Sequence, residues 1–187
     1  MADTEAGRPS GGARGDKGAD AAAKLASYLM TRAPAEDVAC YEPGALEAAA
    51  QLAWEAVSRH RKGDSVIAID TSRSILRQGR PVSVITVVND NMPFLFDSIL
   101  SEISESAGEA SLVVHPVLSV LHDENGVTEL VGESAATKHD GAADRVSLVH
   151  VHVAPLSDSE AEGLAERLRK ILVQVRAAVT DWKPMRR

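Results

Sequence analysis

Val87-Val88-Asn89-Asp90-Asn91-Met92-Pro93-Phe94-Leu95-Phe96-Asp97-Ser98 is the stretch on which the fold turns. A β-branched run stops at a short polar turn, and a helical pattern opens directly behind it. Asn89, Asp90 and Asn91 tolerate unusual backbone angles and accept hydrogen bonds from free amides. Pro93 is expected in the first helical turn, where amides lack intrahelical partners and a missing N–H is not felt. Such a junction presents backbone N–H groups at a helix N-terminus, favourable ground for an anion. Two readings stand side by side: a well-capped helix start, or a binding point built upon one.

The pattern can be followed outward in both directions. Residues 82–88 form a near-continuous apolar strand, and residues 92–107 a helix with Leu95, Phe96, Ile99 and Ile103 turned inward. A long strand follows over 112–121. Asp123-Glu124-Asn125-Gly126 has the composition of a hairpin turn, and the chain returns over 127–131. A polar loop over 132–145 leads to a strand at 145–154. The last helix starts at a capping box, Ser157 with Glu160, and keeps Leu164, Leu168, Ile171, Leu172, Val175, Val179 and Trp182 at helical spacing. The order is strand, helix, strand, return strand, strand, helix. It predicts an α+β fold of the ACT or ferredoxin-like kind, an antiparallel sheet with helices packed on one face. A final strand after the last helix is missing. The short strand at 66–69 is expected in its place, antiparallel to 82–88.

Ahead of this domain, taken as 64–187, lies an N-terminal helical annex over 19–63. Its first helix, near 20–32, is ended by Pro34. Its second, near 43–60, turns Leu46, Ala49, Ala50, Ala53 and Val57 inward. Residues 1–18, rich in Gly, Ala and charge, are expected to be a disordered tail.

The residues of the junction also carry a resemblance. Asn89-Asp90-x-Met92-Pro93-Phe94-Leu95-x-Asp97-Ser98, followed by Val114-His115-Pro116-Val117-Leu118, resembles the N-terminal region of the large bacterial NAD-dependent glutamate dehydrogenases. The likeness runs from about Tyr28 to the end, taking in Ala35-Glu36-Asp37-Val38 and the closing Asp181-Trp182-Lys183-Pro184-Met185. It implies an ACT-like regulatory or oligomerisation segment, itself non-catalytic, whose parent enzyme converts L-glutamate and NAD to 2-oxoglutarate, ammonia and NADH. It implies partners too: downstream domains of the same polypeptide, further copies of the chain, and an amino-acid effector. The ligand or interdomain contact is then expected at Asn89, Asp90, Asn91, Met92, Pro93 and Asp97.

Composition narrows the rest. The 187 residues are 44% hydrophobic and 25% charged, with a formal net charge of −7, which argues against nucleic acid as the main partner. The single cysteine, Cys40, allows no internal disulfide and no cysteine-rich metal site. There is no apolar run of membrane-spanning length and no secretory start, so a cytoplasmic protein is expected. No G-x-G-x-x-G follows a strand, so no cofactor is expected here; the resemblance implies that NAD is bound in the rest of the parent enzyme. His150-Val151-His152 places two imidazoles on one face of a strand. That is a possible zinc pair if His115 or His122 supplies a third donor, and otherwise two rings packed against another domain. A triad around Ser98, His115 and Asp97 lacks a nucleophile elbow. Beside the regulatory segment, a free-standing amino-acid-binding module and a small His-ligated zinc enzyme remain as alternatives.

Overall fold

The computed structural model describes residues 12–134 and 141–182. Five helices are present among them: α1 (Gly12–Arg32), α2 (Ala35–Val38), α3 (Ala45–Ser58), α4 (Leu95–Ala107) and α5 (Asp158–Trp182). The strands are β1 (Ser65–Asp70), β2 (Leu76–Arg77), β3 (Arg80–Pro81), β4 (Ser83–Asp90), β5 (Leu112–Val114), β6 (Val117–Asp123), β7 (Gly126–Glu133) and β8 (Asp144–Val153). The main sheet runs β1-β4-β8-β6-β7, with β5 also paired to β8, and every pairing is antiparallel.

The ACT-like α+β fold is therefore present. β1 fills the place of the missing last strand, pairing from Ser65 opposite Asn89 to Asp70 opposite Val84. The capping box forms as read. The Ser157 amide donates to Glu160 Oε2 at 2.8 Å, and the Glu160 amide donates to Ser157 Oγ at 3.3 Å. The hairpin turn also stands where expected, with Asp123 Oδ1 accepting from the amides of Asn125 and Gly126.

Period-2 alternation in the central strands sends side chains into two cores. Ile85, Val87, Val149, Val151 and Val153 face α4 and α5 and meet Leu95, Ile99, Ile103, Leu164 and Leu168. Val84, Val88, Val146 and Leu148 face the other way and meet Leu25, Leu29, Leu46, Ala49, Ala53 and Val57 of α1 and α3. So α4 and α5 share one face, and the helical annex covers the opposite one. The sheet is buried on both sides, which is why β4 and β8 read as almost unbroken apolar runs. Gly126 lets the annex come this close: a Cβ there would clash with the Ser58 carbonyl oxygen.

Several elements differ from expectation. The long strand over 112–121 is interrupted at His115-Pro116, because proline has no N–H to give the ladder. The register nevertheless carries through: Val114 pairs with His150, Val117 with Ser147, and the Pro116 carbonyl accepts from the Leu148 amide at 3.1 Å. The polar connection over 71–81 holds a small hairpin, β2–β3, turned by Gln78 and Gly79, both at positive φ. α1 begins at Gly12, inside the stretch expected to be a disordered tail; residues 1–11 lie outside the described residues. Among the described residues, no helix is long and apolar enough to cross a membrane.

Candidate functional site

The junction after β4 divides into residues that hold the fold and residues that face outward. Asn89 is buried at 2% exposure. Its Oδ1 accepts from the Ser65 hydroxyl and from Arg176 Nη2 at 3.0 Å, and its Nδ2 donates to the Asp90 carbonyl at 3.0 Å. It thereby joins β4 to β1 and to α5. Asp90 Oδ2 accepts from the Gly63 amide at 2.8 Å, fixing the connection that leaves α3. The Asn91 amide donates to the Arg145 carbonyl at 3.1 Å, extending the β4–β8 ladder by one bond. Met92 is half-buried against the α4–α5 core. Asn91, Pro93 and Asp97 are exposed.

Two expectations at this junction are corrected. Pro93 is not in the first helical turn: α4 starts at Leu95, and Pro93 stands one residue before the cap. The cap is Phe94, in the left-handed region at φ 64 with its ring 58% exposed. No side chain caps α4, so Asp90 is not the helix cap either. The proline ring fixes φ at its own position, and the chain bends at the next residue instead. Asp97 supplies a carboxylate to the first turn, where it meets the positive end of the helix. The outward group is thus Asn91, Pro93, Phe94 and Asp97, with Asn89 and Asp90 behind it as anchors.

The paired histidines of β8 point into the layer beneath the annex and are fully buried. Thr86 Oγ1 lies 3.1 Å from His150 Nδ1, His150 Nε2 lies 2.9 Å from His152 Nε2, and His152 Nδ1 lies 2.7 Å from the Tyr41 hydroxyl. All four ring nitrogens are occupied by this chain. Burial lowers the His150 pKa to about 4 and moves His152 the same way, so both rings are neutral at pH 7. Among the described residues, no three His, Cys, Asp or Glu side chains are placed to hold a metal ion. His115 is drawn off as well: its Nε2 lies 2.7 Å from Ser147 Oγ, and its ring stacks on Phe96 at 4.5 Å.

The glutamate dehydrogenase ACT1 domain family matches residues 25–168, across the annex and most of the sheet and helices just described. The chain belongs to this family. A curated relative, the NAD-specific glutamate dehydrogenase of Halomonas elongata, is 32% identical over 103 residues. That match covers 54% of this chain and only 6% of the relative's length. No solved structure matches significantly.

In this ACT1 domain the sequence reading missed a second cluster, packed directly behind the junction. His60, wholly buried at the end of α3, places Nε2 at 3.5 Å from Asp90 Oδ1 and Nδ1 at 3.0 Å from His122 Nε2. His122 Nδ1 lies 3.1 Å from Asp144 Oδ2, whose other oxygen accepts from Lys62 Nζ at 2.7 Å. Burial lowers the His60 pKa, against the pull of the Asp90 carboxylate. Lys62 and His122 hold the Asp144 carboxyl below its usual range. These residues come from four separate stretches, and nothing local marks any of them. Arg176 was equally hidden, since on α5 it reads only as a charge off the apolar stripe.

Proposed function

We propose that this ACT1 segment is a non-catalytic regulatory and assembly element at the N-terminal side of a large cytoplasmic NAD-dependent glutamate dehydrogenase. The parent polypeptide oxidises L-glutamate to 2-oxoglutarate and ammonia and reduces NAD, with NAD held by domains outside this segment. The contact to those domains, to further copies of the chain or to an amino-acid effector is made by Asn91, Met92, Pro93 and Asp97. Asn89 and Asp90 hold that surface in place. The observation that carries this reading is the division of the junction: its first two residues are consumed by internal hydrogen bonds, while Asn91, Pro93 and Asp97 stand exposed around a helix start, with Met92 half-buried between them. The family match supports the regulatory part, and the 6% coverage of the Halomonas relative supports a much longer parent.

The test is made in two parts. The purified 187-residue chain, given glutamate and NAD, is expected to show no rise in absorbance at 340 nm, the band of reduced nicotinamide. In the parent enzyme, Asn91→Ala with Asp97→Ala is expected to change the sedimentation profile or the response to added amino acids, with the fold of the segment retained. NADH formation by the segment, or an unchanged parent carrying both substitutions, would refute the proposal.

A further inference from the structure

The buried cluster behind the junction is one proton short. Four side chains stand in a row: Asp90 at the end of β4, His60 just after α3, His122 on β6 and Asp144 at the start of β8. Three links join them, at 3.5, 3.0 and 3.1 Å in that order. A carboxylate can only accept, and a neutral imidazole carries one N–H. Two neutral rings therefore bring two protons to three links. The distances show which link goes without. His122 Nδ1 donates to Asp144, His60 Nδ1 donates to His122 Nε2, and His60 Nε2 is left bare against Asp90 Oδ1. That contact is the longest of the three, and His60 Nε2 is buried with no hydrogen-bond partner. Two acceptors facing each other away from water are unfavourable as they stand.

The charged groups around His60 are mostly negative. Asp90 faces it from β4, and Asp64 adds a second carboxylate from the loop after α3. His122 faces it from β6. Behind His122 stands Asp144 of β8, itself paired with Lys62 at 2.7 Å. Burial opposes a charge on His60 and outweighs the pull of Asp90, so uptake falls below the ordinary imidazole value of 6.5. One added proton, shared by the two rings, gives every link its hydrogen and places the cation between two carboxylates.

We propose that Asp90, His60, His122 and Asp144 form a single one-proton site, and that filling it draws Asp90 onto His60 and shifts the end of the β4–β8 ladder. Asp90 Oδ2 already holds the Gly63 amide at 2.8 Å. Its other oxygen closes on His60, from 3.5 Å toward the roughly 2.7–2.9 Å of a charge-assisted bond. Asp90 pairs with Val146, and beside that pair the Asn91 amide donates to the Arg145 carbonyl. Asp144 directly precedes Arg145. Both carboxylates of the row thus adjoin the bond that carries Asn91, the first outward residue of the junction. Acidity is read by the buried pair and expressed at that surface, whatever partner the surface meets. The device goes beyond the proposed function and does not depend on it.

Nuclear magnetic resonance of the 187-residue chain at low ionic strength, followed from about pH 8 to about pH 5, tests this. The imidazole nitrogens of His60 and His122 are expected to shift together, with one midpoint and one proton between them. The amides of Gly63 and Asn91 are expected to shift at the same midpoint. Asp90→Asn keeps an oxygen for the Gly63 amide and offers an N–H to His60 Nε2, completing the row without a proton. It is expected to weaken proton uptake about tenfold or more and to abolish the Asn91 shift. Lys62→Gln removes a positive charge from Asp144 and is expected to move the midpoint the other way, to higher pH. The Lys62 side chain is exposed, so this variant remains informative if Asp90→Asn does not fold. Separate midpoints for the two rings, or two protons taken up by the pair, would overturn the proposal. So would no uptake down to about pH 5, or an Asn91 amide that does not follow the rings. A midpoint unmoved in folded Asp90→Asn, or unmoved or lowered in Lys62→Gln, would do the same.

Discussion

His150 lies wholly inside the protein, its ring nitrogens facing only Thr86 and His152. Its pKa of about 4 compares with 6.5 for a free imidazole. Between those values the unfolded chain binds more protons than the folded one, so stability falls as the pH drops through that window. His152 and His60 are displaced in the same direction by burial, and the low-lying Asp144 carboxyl adds a loss further down the acid range. Urea unfolding at pH 5 is therefore expected to give a free energy lower than at pH 7.5 by about 2 kcal/mol from His150 alone. An equal value at both pH values would contradict a neutral, buried pair. Asp90→Ala removes the acceptor of the Gly63 amide and the carboxylate beside His60. A loss of about 1–3 kcal/mol is expected by the same measurement at pH 7.5. Both residues stood out in the sequence for reasons that proved incomplete. His150-x-His152 announces two rings on one face of a strand. It does not announce that the annex closes over that face. Asp90 reads as a turn residue, and its amide partner lies 27 positions upstream.

Elements whose determinants are local were the most legible. α5 could be read because its capping box spans four residues and its apolar stripe repeats over many turns. Leu168 stands mid-stripe and is fully buried, so Leu168→Asp is expected to destabilise by several kcal/mol, as an order of magnitude. Val173 on the same helix is 70% exposed, and Val173→Ser is expected to change stability by no more than about 0.5 kcal/mol. Comparing the melting temperatures of the two variants checks which face of the helix packs. The β1–β4 ladder was also legible, since two apolar runs and one vacant sheet position leave few arrangements. The start of α4 was not. Phe94 adopts a left-handed cap that its residue type does not favour, directly after a proline whose ring fixes φ at the preceding position. The role of Gly126 was read only in part. As a turn residue it was expected, but its contact with the end of α3 comes from the packing of two layers. Gly126→Ala would drive a methyl group into the Ser58 carbonyl at a positive φ, and a loss of about 2 kcal/mol or more is expected by chemical denaturation.

The whole molecule is a sheet between two helical layers, α1 and α3 on one side and α4 and α5 on the other. The apolar stripe of α3 was visible in the sequence, yet a stripe does not say which surface it will meet. The annex and the ACT-like sheet were therefore read as separate regions, whereas they share a core. β8 is the hub of that arrangement, pairing with β4, β5 and β6. Synthesis runs from the N-terminus, and β8 begins only at Asp144. Until it leaves the ribosome, β4 lacks its inner neighbour, the β6–β7 hairpin has nothing to join, and neither helical layer has a complete surface to cover. Nascent chains halted at residue 143 are expected to be cut readily by protease, and chains released after residue 182 to resist it. Until β8 has emerged, this segment thus exposes apolar surface on both sides of a half-built sheet, and its need for a chaperone is greatest just before that strand arrives.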